Sequence, residues 1–279
     1  MKKSRLSEHA RLSDYLWVLL FSAYSLLPVL WVVMTSLKTN QELVRMGPLA
    51  LPQTLRFDNY LEAWNAARFS TYFVNSILIA VLTVGGIVLF SVLIAYSLCY
   101  LHYHGKKLVD ALVIFGLLIP FELIMIPLFY NVKNMGIMNT HAAVILPQIA
   151  LWLAFSVFLM KSFMRELPIS LIESARIDGA GEYRTLFSIV TPMVKPAVIS
   201  IIIFNLISSW NNFMLPTIMI SSDKLRTVPL GLNAFRTKYS MDVALTAAAA
   251  VIIAAPVIVV YLIFQRRLIT GLVVGAVKQ

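Results

Sequence analysis

Stretches free of Asp, Glu, Lys and Arg recur along the chain at 15 to 37, 69 to 105, 134 to 160, 196 to 222 and 243 to 265. A sixth, 111 to 132, is interrupted only by Glu122. A helix crosses the hydrocarbon core of a bilayer with about 20 mainly apolar residues, and each run supplies them. Backbone in lipid must satisfy its own hydrogen bonds, which continuous apolar runs do as α-helices and not as the alternating strands of a barrel. The pattern therefore predicts an all-α membrane protein with six transmembrane helices. It divides the chain into an N-terminal segment, 1 to 14, one six-span membrane domain, 15 to 265, and a tail, 266 to 279. The basic N-terminal segment is read as retained, because the apolar run after it is too long for a signal-peptide core and no small-residue cleavage site follows.

Composition supports a membrane solvent: 59% of the 279 residues are hydrophobic and 13% charged, against about 25% charged in soluble domains. The net charge of +10 does not indicate nucleic acid, because the basic residues lie between the apolar runs and not in one patch. In a six-span arrangement 14 of the 23 Lys and Arg fall on the side holding both termini. The other 9 lie mostly in two longer loops, roughly 36 to 73 and 217 to 242, which weigh less in the positive-inside rule. Both termini are predicted cytoplasmic. A single cysteine, Cys99, excludes an intrachain disulfide and a thiolate cluster for zinc or iron–sulfur binding.

The large connection on the predicted cytoplasmic side, 161 to 195, is not disordered in composition. Pro168 suits a first helical turn, and Gly179 with Gly181 supplies left-handed positions that end one, so a short helix is expected from about Pro168 to Asp178. Leu171, Ile172 and Ala175 share its apolar strip, with Glu173 beside it. A second helical segment is expected from about Glu182, presenting Leu186, Phe187 and Val190 and stopping before Pro192. Two short helices with an apolar face displayed at the surface have the form of a docking element.

This loop resembles that of the permease subunits of bacterial ATP-binding-cassette importers, whose signature is Glu-Ala-Ala, three residues, Gly, nine residues, Ile, one residue, Leu-Pro. Glu173, Ala175, Gly179, Ile189 and Pro192 fall on it, while Ser174 replaces an Ala and Thr191 the Leu. The resemblance narrows to the carbohydrate-uptake branch, and to its maltose-type second permease, through SLKTNQE (36 to 42), FDNY (57 to 60), the pair Asn75 and Ser76, WNNFMLP (210 to 216) and the ending FQRRLITGLVVGAVK (264 to 278).

The resemblance implies a coupling helix seated in a cleft on a cytoplasmic ATPase. Glu173, Ser174, Ala175, Asp178, Gly179, Ile189 and Pro192 would form the coupling set, with Glu173 meeting a basic residue and the tail from Arg266 reaching the ATPase dimer. It implies as partners a second permease in a heterodimer, two ATPase copies and an extracytoplasmic sugar-binding protein, with the complex in the bacterial inner membrane. No cofactor is expected on this chain; ATP and Mg would bind the ATPase subunits. The sequence agrees in one respect, since no G-x-x-x-x-G-K-[ST] phosphate loop occurs in it.

Polar groups inside spans should face protein or a watery path. Asn205, Ser208, Ser209 and Asn212 share one face of the fifth span, and Gln148, Trp152 and Ser156 one face of the fourth. These groups suit sugar hydroxyls and sugar faces, and they equally suit hydrogen bonding between helices. Glu122, about 18 Å beyond Asp110 at 1.5 Å per residue, is flanked by Pro120 and Pro127, which would free backbone groups and kink the helix; it is a gate or substrate contact, or a carboxyl that is protonated or paired across a subunit interface. His102, His104 and His141 are expected as solvated loop residues, Cys99 as a packing residue, and Gly85 with Gly86 as a site of close helix approach. A self-sufficient carrier would need repeated halves and several intramembrane charges, and a membrane enzyme a catalytic cluster; neither is evident. An importer for glycerol phosphate or a uronide remains the nearest alternative to a sugar importer.

Overall fold

The computed structural model describes residues 12 to 276 apart from 48 and 237 to 239, and side chains from 14 to 265 within that range. The helices, in chain order, are α1 (Leu12–Ser36), α2 (Asn40–Met46), α3 (Asp58–Ala66), α4 (Phe69–Tyr100), α5 (Lys106–Leu118), α6 (Phe121–Asn134) and α7 (Ala142–Met164). They are followed by α8 (Ile169–Ile177), α9 (Glu182–Met193), α10 (Lys195–Trp210), α11 (Met214–Met219) and α12 (Val243–Ala276). Four helices, α1, α4, α7 and α12, are long and apolar enough to cross a membrane unaided. Two bent pairs pass the same test together: α5 and α6 meet at 109° and cover the predicted run 111 to 132, and α9 and α10 meet at 78° where the predicted loop 161 to 195 joins the run 196 to 222.

Proline explains both bends. Ile119 is extended, as a residue before proline prefers, and Pro120 restarts the helix. Glu122 therefore does not lie midway along a continuous helix; it occupies the exposed first turn of α6, where the helix dipole favours a carboxylate. In α9, residues Thr185–Val190 wind as a π-helix, so the segment continues through Pro192 to Met193 where the pattern predicted a stop. The wider turn removes the clash that an α-helical proline makes with the carbonyl four residues earlier, and the Thr191 hydroxyl donates to the Leu186 carbonyl five residues back (2.8 Å). Pro196, in the first turn of α10, then starts a new axis.

The chain forms two compact units, residues up to 67 with Leu232–Ala254, and Arg68–Gly231 with residues from 255. In the first, α1 exposes apolar side chains all round, as a helix facing lipid or another subunit does. Its C-terminal carbonyls are held by Asn59, whose side-chain amide donates to Ser36 and Lys38 (2.8 Å each), while the Ser36 hydroxyl meets that of Tyr60 (2.6 Å). Thr39 and Glu42 form a reciprocal capping box on α2, and the backbone N–H of Thr39 (2.8 Å) holds the Glu42 carboxyl below its ordinary pKa. The Asn40 side chain accepts from Ala244 at the start of α12 (3.1 Å). The family motifs SLKTNQE and FDNY are thus the fastenings of this unit.

In the second unit α4 packs along α7 and α10, and α5 packs on α7. A Cβ on Gly86 would come within 2.6 Å of Ile149 on α7, so this glycine permits the close approach, whereas Gly85 faces open space. The interface is layered. One apolar cluster holds Ile79, Val144 and Leu215; another, nearer the C-terminal end of α4, holds Ile87, Met160, Ile201 and the loop residues Ile172, Leu186 and Val190. A polar layer lies between them.

Candidate functional site

The loop helix α8 is built to stand off the bundle. Its C-terminus is a Schellman cap: Ala180 N–H donates to the Ala175 carbonyl (2.9 Å) and Gly179 N–H to that of Arg176 (3.1 Å), with Gly179 at φ +77°. Ile172 and Ala175 turn inward and are buried, while Glu173, Ser174, Asp178 and Gly179 are exposed. Added to Gly179, a Cβ would meet nothing within 4 Å, so within this chain the glycine answers to its backbone conformation alone.

The expected apolar display is corrected by burial. Leu186 and Val190 are 2% and 0% exposed and join the core beneath α8; of the predicted trio only Phe187 faces outward. The exposed apolar groups of the loop are Leu171 of the predicted strip, Phe187, and in addition Ile169, Ile177, Tyr183 and Met193, and Ile189 and Thr191 are half-buried with Pro192 exposed. Lys161, the predicted first residue of the loop, lies inside α7, buried and ion-paired with Asp110 of α5.

The ionic anchor of the loop was missed by the sequence reading. Arg176 pairs with Glu182 across the glycine turn (2.9 Å), the Tyr96 hydroxyl donates to the same carboxylate (2.5 Å), and Arg176 also reaches the Tyr100 carbonyl (3.4 Å). Tyr100 in turn donates to the Met164 carbonyl at the end of α7. A pair of tyrosines spaced i, i+4 at the end of a span was the one visible hint, and their partners lie 64 and 86 residues away.

Of the residues assigned to a path, four form the polar layer. Gln148 is fully buried and its carbonyl oxygen accepts from Ser209 (2.8 Å) and Thr83 (3.2 Å), joining α7, α10 and α4. Asn205 donates to Ser156 (3.1 Å) and to the Ile201 carbonyl (2.8 Å), and Ser156 donates to the Trp152 carbonyl (2.9 Å). These are bonds between and within helices, the second of the two roles the pattern allowed. Trp152 and Asn212 instead line a cleft of about 740 Å³ with Gly116, Phe121, Leu151 and Met214. Asn212 also caps α11 by accepting from Leu215 N–H (3.1 Å). Glu122 is not among the residues lining this cleft.

The far end of α4 holds the segment 221 to 231. The Asn75 amide donates to the carbonyls of Lys224 and Arg226 (2.9 Å each), and Ser76 accepts from Val228 N–H (2.9 Å). Asp223 receives Tyr72 (2.8 Å), Arg226 (2.9 Å) and Arg68 (3.3 Å). His141, expected to be solvated, is half-buried, and its Nε2 contacts Asn75 Oδ1 (3.2 Å). Because the Asn75 NH2 group is committed to two carbonyls, Oδ1 accepts and the imidazole donates. Burial pushes the His141 pKa down. The predicted tail contacts from Arg266 onward lie outside the residues whose side chains are described.

Residues 87–273 match the family model described as binding-protein-dependent transport system inner membrane component. The chain is 34% identical over 264 residues to the diacetylchitobiose uptake system permease protein of Streptomyces coelicolor, covering 94% of this chain and 85% of that one. It is 33% identical to the arabinooligosaccharides transport system permease protein of Bacillus subtilis, covering 96% of each. The fold resembles a chain in the crystal structure of a bacterial ABC transporter involved in import of the acidic polysaccharide alginate, with a TM-score of 0.78, 22% identity, and 93% and 99% of the two chains covered. With a matched segment that begins within α4 and contains the capped loop helix and its anchors, this chain belongs to the family of inner membrane components of binding-protein-dependent transport systems.

Proposed function

We propose that this chain is the membrane-spanning permease of an importer for sugars or oligosaccharides, and that α8 transmits ATP hydrolysis on separate ATPase subunits to the spans. The single observation that carries the coupling role is the division of α8 into a buried face, Ile172 and Ala175, and an exposed face bearing Glu173, Ser174 and Asp178 on a glycine-capped end. A helix fixed from beneath and free above moves with whatever holds its free face. The cargo class rests on the relatives, whose names specify diacetylchitobiose and arabinooligosaccharides. Trp152 and Asn212, in the 740 Å³ cleft, are the path residues best placed to meet a sugar, by stacking and by hydrogen bonding.

In this reading two ATPase copies grip the α8 loops of this chain and of a second permease. The loops and both termini are cytoplasmic, and a sugar-loaded binding protein docks at the opposite face. Closure of the ATPase pair shifts the spans between inward and outward access. The test is to co-purify the complex, recover the binding protein and screen it against sugars by thermal shift. A sugar should raise its melting temperature by mass action and enter vesicles containing the reconstituted complex in an ATP-dependent way. Uptake of a glycerol phosphate or a uronide, with no response to neutral sugars, would replace the cargo assignment and leave the permease assignment standing.

A further inference from the structure

At the loop end of the bundle a cavity of about 540 Å³ opens between the end of α4, the start of α5 and the end of α7. Its polar lining is cationic: Lys106, Lys107 and Arg165, with His102 and Tyr103. One carboxylate lines it, Asp110, and that group is already engaged by Lys161. Lys106 bonds the Leu101 carbonyl (2.9 Å), whereas Lys107 and Arg165 have no ion-pair partner among the described residues. From this pocket an apolar lane runs along α7, where Phe158 and Phe155, seven and ten residues before Arg165 and on the same side of the helix, are 51% and 44% exposed. Uncompensated cations at the mouth of an exposed apolar lane match a molecule with an anionic head and a hydrocarbon tail. A free anion has no use for the lane, and an acidic protein has no reason to meet it at membrane depth.

We propose that this cavity binds the phosphodiester headgroup of an anionic phospholipid, with Lys107 and Arg165 as its ligands and the α7 lane as the bed of an acyl chain. Basic pockets between membrane helices on the cytoplasmic side hold such headgroups. Placement in the inner leaflet rests on the cytoplasmic reading of the α8 loop; the headgroup chemistry does not. Bound there, the lipid sits beside the Asp110–Lys161 pair that joins α5 to α7.

Native mass spectrometry of the whole purified complex tests this, with phosphatidylglycerol and phosphatidylcholine of matched acyl chains as probes. The complex should retain phosphatidylglycerol and shed phosphatidylcholine. Lys107→Gln with Arg165→Gln should weaken that retention roughly 25-fold, about fivefold per cation near an anionic surface. Lys107→Arg with Arg165→Lys should restore it, which separates lost charge from lost folding. Glu173→Lys should retain the lipid whatever happens to its transport, so a failure of the coupling reading is read separately. Equal retention of both lipids, or unchanged retention in the Gln variant, overturns the proposal. So does displacement of phosphatidylglycerol by millimolar inorganic phosphate, which marks a free-anion site, or loss of the ATPase subunits from the Gln variant, which marks a subunit contact.

Discussion

The two ends of α4 hold their loops by opposite means. At the N-terminal end Asn75 and Ser76 reach out and bond the backbone of 224 to 228, and Asp223 gathers a tyrosine and two arginines. Side chains of the helix have become the partners of the loop's own peptide groups, so that loop cannot shift without breaking several bonds at once. At the C-terminal end the loop sends its own apolar side chains, Ile172, Leu186 and Val190, into the core, and a single ionic cluster, Arg176 with Glu182 and Tyr96, fixes its angle. The backbone of α8 is capped by itself, and among the described residues Glu173, Ser174 and Asp178 on its outer face make no side-chain bond to the bundle. About 36 Å of helix, 24 residues at 1.5 Å each, separates the two arrangements. A fixed platform suits docking of a soluble protein; a lever anchored at its base suits transmission of force.

The comparison breaks most severely at the lever. Glu173→Lys reverses the charge offered to a basic partner, and losing a desolvated charge contact corresponds to 30-fold or more, as an order of magnitude. Uptake into vesicles should fall by at least that factor while the permeases still insert and pair. Gly179→Val places a β-branched residue at φ +77°, a strain of about 1–3 kcal/mol. Because no atom of this chain obstructs a Cβ there, Gly179→Ala should be milder for folding, and any further loss of uptake in it reports steric exclusion by the partner.

Next in size is the base of the lever. Ile172→Ala should remove about 2–5 kcal/mol of local stability, seen as faster hydrogen exchange across 169 to 190 with the outer segment unaffected. At the platform, Asn75→Leu deletes three hydrogen bonds, two to the loop carbonyls and one from His141, of about 1 kcal/mol each. It should reduce stimulation of ATP hydrolysis by the loaded binding protein, with basal hydrolysis and subunit content unchanged. Asn205→Leu breaks the polar layer, where interhelical bonds contribute about 0.6–1.7 kcal/mol; thermal stability of the complex should drop while uptake per intact complex holds. A rate defect without loss of stability would return Asn205 to the path.

The smallest effect is one of pH. His141 has a folded pKa below its ordinary 6.5 because burial disfavours the cation. The stability it lends is complete above 6.5 and is lost as pH falls from there through the lowered value. Hydrogen exchange of 221 to 231 should accelerate across that window in the native protein and stay flat in His141→Gln.

Much of this was legible in the chain. Charge-free runs mark the spans because lipid penalises charge whatever the fold, and Gly179 marks the helix end because few other residues accept its backbone angle. The kink at Pro120 was legible from its proline, but the size of the 109° break and the continuation of α9 through Pro192 were not, since hydropathy counts residues and carries no direction. Leu186 and Val190 share the spacing of an exposed docking face and of a buried one, and only the core beneath them decides. The role of Asn205 was equally open: an amide on a polar face looks the same whether a sugar or Ser156 receives its hydrogen bond. Arg176 and Glu182 meet locally across the glycine turn, but Tyr96 joins them through tertiary contact alone, 86 residues away, at a separation no local pattern records.

The most direct measurement places a photo-crosslinking residue in turn at position 173, on the lever, and at position 224, on the platform, in the assembled complex. Position 173 should capture the ATPase subunit and never the binding protein, and position 224 the binding protein and never the ATPase. Capture of the same partner from both positions, or of the binding protein from 173, would contradict the assignment of α8 as the coupling element.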